Sequence, residues 1–270
     1  MTDHHYETLL VERRGPVEWL TLNRPESLNS ISLQLAADLH AYFDRLYHER
    51  SVYVVVMRGA GRAFCAGLDI KESATQKHRD ESPFAGGFSL QSHLADIYIK
   101  MRRCPQPIIS LIHGAACGGG FAFVLAADIR IAGESARMSV ATLKLGLSGC
   151  EMGMSYFLPR LVGTAVASEL LLTSRFIDAQ RALRVGLVSE VVPDEQLEAA
   201  AQACVDDMLL ASPVGLRLTK DGLNFAIDAP SLEAAMAIEN RNQLLAGRSN
   251  DFKEARQAFL EKRKPVYTNS

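Results

Sequence analysis

Three places in this chain carry residue types that could do chemistry: two glycine turns and a single glutamate. The first turn is Gly118-Gly119-Gly120, inside a stretch from Pro105 to Ala127 that holds no formal charge. Ile108 to Ile112 reads as a strand buried on both faces, and Phe121 to Ala127 as a buried helix. The glycines stand at the changeover, where main-chain N–H groups at a helix start lack partners and attract negative charge. The second turn is Ala66-Gly67-Leu68, in the loop that follows the β-prone run Val52 to Gly59. Two such turns, about fifty residues apart, can each offer one N–H to the same oxygen. Taken alone, a glycine cluster also serves simply to let a helix pack close to a strand. Glu151 follows Gly146-Leu147-Ser148-Gly149-Cys150. In an apolar pocket its carboxyl would have a raised pKa suited to moving a proton; the alternative is an N-cap or surface carboxylate at a helix start.

Ala66-Gly67-Leu68-Asp69-Ile70, taken with the glycine triplet, resembles the crotonase superfamily, also called the enoyl-CoA hydratase/isomerase family. Asn23-Arg24-Pro25 and the closing run Phe252 to Pro265 resemble further segments of that family. The resemblance implies an α/β fold. A crotonase-type spiral of ββα turns with the acyl-CoA site would occupy residues 1–192, and a C-terminal helical trimerisation subdomain residues 193–270. It implies that the main-chain N–H groups of Leu68 and Gly119 form an oxyanion hole for a thioester carbonyl, where fixed dipoles stabilise an enolate-like charge. By the same carry-over Ala66, Leu68, Asp69, Ile70, Gly119 and Thr142 border the substrate and its CoA. Phe259 and Lys262 would reach the CoA of a neighbouring subunit. From Lys253 to Lys264 there are five basic and two acidic side chains, an excess suited to phosphates. The expected assembly is a homotrimer or a dimer of trimers. Coenzyme A enters as part of the substrate, and no metal or redox cofactor is needed.

One departure from the family pattern bears on the reaction. The two glutamates that hydratases of this family use match Ala122 and Thr142 here. Alanine moves no proton, and a threonine hydroxyl is too weak an acid or base to replace a carboxylate near neutral pH. Glu151 is the nearest replacement, at the spot where dienoyl-CoA isomerases of the superfamily place an aspartate. The expected function is therefore an acyl-CoA enzyme of the enoyl-CoA hydratase/isomerase type with Glu151 as acid and base. Isomerisation is chemically easier on this site than water addition, although hydration or thioester hydrolysis through Glu151 and an ordered water stays open. The reading from another class is a non-catalytic acyl-CoA-binding protein.

The elements that must position these residues follow from periodicity. Thr8 to Leu22 reads as a hairpin about Gly15-Pro16, and Ser32 as the cap of a helix with Leu35, Leu39, Tyr42, Phe43 and Leu46 on one face. Lys71 to Gly87, with Lys77, His78, Arg79, Asp80 and Glu81, reads as a polar surface loop, and the resemblance implies that it borders the acyl pocket. Leu90, Leu94, Ile97, Tyr98 and Met101 predict the helix before the central strand, and residues beyond Val192 read as almost wholly helical. Asp69 is expected to tie down the first glycine loop, Asp128 to be hydrogen-bonded at the end of the buried helix, and His113 to set loop geometry.

With 270 residues, net charge −2 and 22% charged residues, the composition is that of a soluble globular protein and points to neither nucleic acid nor a membrane surface as partner. The five cysteines lack metal-ligand spacing and read as small buried hydrophobes in a reducing compartment. The N-terminus lacks the pattern of a signal peptide, so a cytoplasmic location is expected.

Overall fold

The computed structural model describes residues 5–75 and 83–270. The chain opens with β1 (Leu9–Arg14) and β2 (Val17–Leu22), an antiparallel hairpin turned by Gly15. A segment anchored by Asn29 leads to α1 (Leu33–His48), whose first turn is capped by the Ser32 hydroxyl accepting from the Leu35 N–H at 3.0 Å. Then come β3 (Val54–Gly59), α2 (Ile70–Thr75), α3 (Pro83–Arg103), β4 (Ile108–Ile112), β5 (Ala115–Cys117) and α4 (Gly119–Ala126). The core spiral continues through β6 (Ile129–Gly133), β7 (Arg137–Ser139), α5 (Met154–Thr173), β8 (Ile177–Asp178), α6 (Ala179–Arg184) and β9 (Glu190–Val192). Helices α7 (Leu197–Leu209), α8 (Pro213–Ala226), α9 (Leu232–Gly247) and α10 (Asn250–Glu261) complete it.

The strands form two sheets, a six-stranded one ordered β1-β2-β3-β4-β6-β9 and a three-stranded one ordered β5-β7-β8. From β2 to β9 every pairing in the larger sheet is parallel, with Val55 opposite Ile108 and Ile109 opposite Ile129. After each of β4 and β6 the chain places its next strand in the small sheet and then enters a helix, which is the expected spiral of ββα turns. Parallel pairing puts the carboxyl ends of β3 and β4 on one edge, so the loops that follow them meet.

Both faces of the larger sheet are covered. Trp19, Val54, Val56, Ile109 and Ile131 pack against Leu197, Ala201 and Val205 of α7, while the opposite face meets α1, α3 and α4. Every residue of α4 is buried, which explains why its sequence is apolar all round. Glu18, buried on β2, is held by Arg45 at 2.6 Å and 3.0 Å.

The expected polar loop from Lys71 to Gly87 is corrected at both ends. Lys71 and Glu72 belong to α2, and Gly86 and Gly87 lie within α3, which starts at Pro83. Proline suits a first helical position because its missing N–H would be unpaired there anyway, and a Gly pair costs a helix only about 1 kcal/mol per residue. Lys77, His78, Arg79, Asp80 and Glu81 lie outside the described residues. Among the described residues no helix is long and apolar enough to cross a membrane.

Candidate active site

Short parallel bridges fasten the two glycine loops to each other. The Cys65 N–H donates to the Ala115 carbonyl at 3.1 Å, and the Cys117 N–H returns to the Cys65 carbonyl at 2.9 Å. Gly67, at φ +93°, runs so close to the next loop that a Cβ there would stand 2.7 Å from the Cys117 oxygen. Gly118, at φ +49°, starts α4. Both conformations favour glycine. Ile31 completes the frame: its N–H donates to the Gly67 carbonyl at 2.7 Å, and its own carbonyl accepts from Asp69 at 3.0 Å. That pattern uses the amides on either side of Leu68. The N–H groups of Leu68 and Gly119 themselves donate to no acceptor among the described residues.

Asp69 anchors the first loop from below. Its carboxylate accepts from Arg24 at 3.0 Å, from the Ser30 hydroxyl at 3.0 Å and from the Glu72 N–H at 3.3 Å. Burial alone would raise its pKa, but these bonds together hold it below the usual value. Asn29, fully buried, donates its side-chain amide to the carbonyls of Ala60 and Ala63, each at 2.8 Å, and accepts from the Arg24 N–H at 2.9 Å. Arg24, Asn29 and Ser30 were not singled out from sequence as supports; the resemblance of Asn23-Arg24-Pro25 was the available signal.

Glu151 is not a helix cap. Helix α5 is entered through Met152 at φ +47° and Gly153 at φ +80°, and Glu151 contributes only its main-chain carbonyl, to the Met154 N–H at 2.8 Å. Its carboxyl instead receives a hydrogen bond from the Gln91 side chain on α3. Partial burial raises the Glu151 pKa, the Gln91 bond offsets part of that rise, and no cation contributes. Gln91 was missed in the sequence. Its spacing of three from Leu94 and seven from Tyr98 puts it on the same side of α3 as those buried residues, although Gln91 itself is exposed, and that spacing is a usable signal.

Tyr98 braces the glycine turn. Its hydroxyl, buried, donates to the Gly119 carbonyl at 2.9 Å, and its ring stacks on Phe123 with centroids 4.9 Å apart. Burial first, then the charges of Cys65 and Glu151, push its pKa well up, so the hydroxyl stays protonated and donating.

The remaining expected residues fall in different places. Leu68 and Ile70 are exposed beside the loops and Ala66 is half-buried. Ala122 is sealed within α4. Thr142 is buried, and its hydroxyl donates to the Ser148 carbonyl at 2.9 Å, holding the segment that leads to Glu151. Asp128 accepts from the Ile108 N–H at 2.8 Å, and His113 bonds the Gly61 carbonyl at 2.9 Å, both structural contacts. Phe259 is 83% exposed on α10 and Lys262 caps that helix. Neither side chain makes a polar or ring contact among the described residues, and Arg263 beside them is paired with Glu254 and Glu261.

The profile of the enoyl-CoA hydratase/isomerase family matches residues 12–270. The chain belongs to that family. A probable enoyl-CoA hydratase of Mycobacterium bovis is 41% identical over 265 residues, covering 97% of this chain and 93% of that protein. The 1,2-epoxyphenylacetyl-CoA isomerase of Escherichia coli is 34% identical over 262 residues, covering 97% and 98%. An enoyl-CoA hydratase crystal structure from Bacillus anthracis superposes with a TM-score of 0.91 at 33% identity, covering 98% of this chain and all of that one. The fold is thus that of the crotonases, and the chain is an enzyme of the enoyl-CoA hydratase/isomerase family.

Proposed function

We propose that this enzyme shifts a double bond in an unsaturated acyl-CoA, with Glu151 as the one carboxylate that removes and returns the proton. The thioester oxygen would sit against the N–H groups of Leu68 and Gly119, beside Ala66, Asp69 and Ile70. Glu151 takes a proton from the carbon next to the thioester carbonyl of a 3-enoyl substrate. The C–H electrons move into an enolate whose oxygen charge falls on the two amides, and the proton is returned two carbons further along, giving the 2-enoyl product. Fixed amides suit this because they need no reorganisation as the charge forms; one such donor is worth about 3–4 kcal/mol of barrier.

The observation that carries the reading is the pairing of a Glu151 carboxyl raised by burial with the absence of a carboxylate at Ala122 and Thr142. Water addition in the usual manner needs two carboxylates; a one-group proton shuttle needs one. As written, the reaction requires no metal or redox cofactor, and CoA is part of the substrate. Phe259 and Lys262, free on the surface of one chain, are suited to contact the CoA of a neighbouring copy in a trimer or a dimer of trimers.

The test is a panel of 2-enoyl-, 3-enoyl- and dienoyl-CoA thioesters followed by chromatography and mass spectrometry. A product of unchanged mass is expected. Gain of one water would replace isomerisation by hydration, release of free CoA would make the protein a hydrolase, and binding without turnover would make it an acyl-CoA-binding protein.

A further inference from the structure

A cavity of 1710 Å³ opens between α3, α5 and α8. Its near end adjoins the proposed proton shuttle. Gln91, Ala95, Tyr98 and Arg102 form one stripe of α3 at spacings of four, three and four, and Gln91 holds Glu151 while the other three line the cavity. Met152 and Gly153, the two residues after Glu151, line it as well. Eleven residues from Gln91 to Arg102 carry the stripe about 16 Å, the reach of an extended acyl chain.

The wall changes character along that path. Beside Glu151 in the chain and on the Gln91 stripe it has Met152 and Ala95, while Ile99, Leu125 and Phe157 carry the apolar lining on to Arg102, whose guanidinium lies 5.9 Å from the Phe157 ring centroid. Seven Arg and Lys side chains line the cavity as a whole against two Asp, Arg102 and Arg103 among them at the C-terminal end of α3. Asp128 is shared between Arg102 at 2.9 Å and Lys220 at 2.8 Å, Asp221 is engaged by Arg241, and Arg160 is paired with Asp228. Arg50, Arg103, Arg130 and Arg217 have no carboxylate partner among the described residues. Arg130 bonds only the carbonyls of Leu187 and Ala127, and Arg217 only those of Glu49, Arg50 and Val52. The Nε of Arg217 is buried with no acceptor at all.

Two of these cations, Arg130 and Arg217, are held at a cost, while Arg50 and Arg103 are exposed. Burial brings Arg130 down to about 10 against the opposing charge of Asp128, and burial together with the nearby Arg50 charge lowers Arg217 against the opposing charge of Glu49. An anion placed among them would relieve both repulsion and desolvation. A ligand that is apolar for most of its length and anionic at its far end matches this wall in order and in sign.

We infer that the cavity selects an acyl-CoA whose chain ends in a carboxylate, the chain lying along Ala95 and Tyr98 and the terminal carboxylate meeting Arg50, Arg103 and Arg217. This specificity rests on the proposed reaction at Glu151 and adds a substrate class to it.

The experiment compares 3-dodecenoyl-CoA with its ω-carboxyl counterpart on the wild-type enzyme and on the double variant R50Q/R103Q, two cations that brace no other part of the chain through side-chain bonds among the described residues. The wild type should prefer the carboxylated substrate by tenfold or more in kcat/KM at low salt. The preference should shrink in high salt and fall toward one in the variant. Equal turnover of the two by the wild type, or preference for the methyl-ended chain, would overturn the inference. Calorimetric binding of the matching saturated thioesters separates the two claims. If neither enoyl substrate reacts but the ω-carboxyl thioester still binds at least tenfold tighter, the reaction fails and the cavity's selectivity stands; equal binding would overturn the selectivity whatever the reaction, and the wild-type comparison holds even where the variant does not fold.

Discussion

Gly67 and Gly118 lie back to back: a Cβ on Gly67 would stand 3.6 Å from the Cα of Gly118 and 2.7 Å from the Cys117 oxygen. Gly67→Ala therefore forces the loops apart and strains a φ of +93°. If these loops hold the thioester oxygen, kcat should fall about 10²–10³-fold, the loss seen when one oxyanion donor is removed. Gly87→Ala is the contrast, because a Cβ there meets open space on α3 and thermal unfolding should shift upward by the equivalent of about 0.4–1 kcal/mol.

Gln91 tunes Glu151. As a base Glu151 must be ionised, so the rate falls as pH drops through its pKa, and burial puts that limb above the usual carboxylate range. The Gln91 bond works in the lowering direction. Gln91→Leu should therefore move the acidic limb of the kcat/KM profile to higher pH; a limb that stays in place would show that Glu151 is not the titrating group.

Much of this frame is legible in the sequence, for a physical reason. The uncharged run Ile108 to Ala127 favours burial, which holds for all of it but the half-buried His113, Gly114, Ala115 and Cys117, and its glycines mark where strand becomes helix. The hairpin at Gly15 and the Ser32 cap are local features and appear as expected. Gln91, Asn29 and Lys220 act through partners 60, 31 and 34, and 114 residues away or across elements, and nothing in their neighbours announces this. Lys220 is the extreme case: a lysine on an amphipathic helix reads as solvated, yet it is buried against Asp128 and the carbonyls of Met101 and Gln106. The Pro83 start of α3 was hidden because Gly86 and Gly87 resemble loop residues.

Asn29 is the clamp of the first loop. Replacing it by Ala leaves the half-buried carbonyl of Ala60 and the buried carbonyl of Ala63 without this donor, and the latter costs about 1–3 kcal/mol as an unsatisfied buried group. Denaturant unfolding should show a loss of that size, accompanied by a raised KM because the loop carrying Leu68 loosens.

Thr142, expected from the resemblance at a hydratase carboxylate position, spends its hydroxyl on the Ser148 carbonyl. Thr142→Val should cost about 0.5–1.5 kcal/mol of stability, the net worth of one hydrogen bond, and reduce kcat by less than about tenfold. A loss as large as that of a catalytic acid would show that the hydroxyl takes part in the chemistry.

The proton shuttle itself is tested most directly by following conversion of a 3-enoyl-CoA to its 2-enoyl isomer with wild type and Glu151→Gln, which keeps the size of the side chain and its bond to Gln91 possible. Turnover should fall about 10²–10⁴-fold, the usual contribution of a general acid/base group, while a saturated acyl-CoA still binds. A Glu151→Gln enzyme that isomerises at the wild-type rate would contradict the assignment of Glu151.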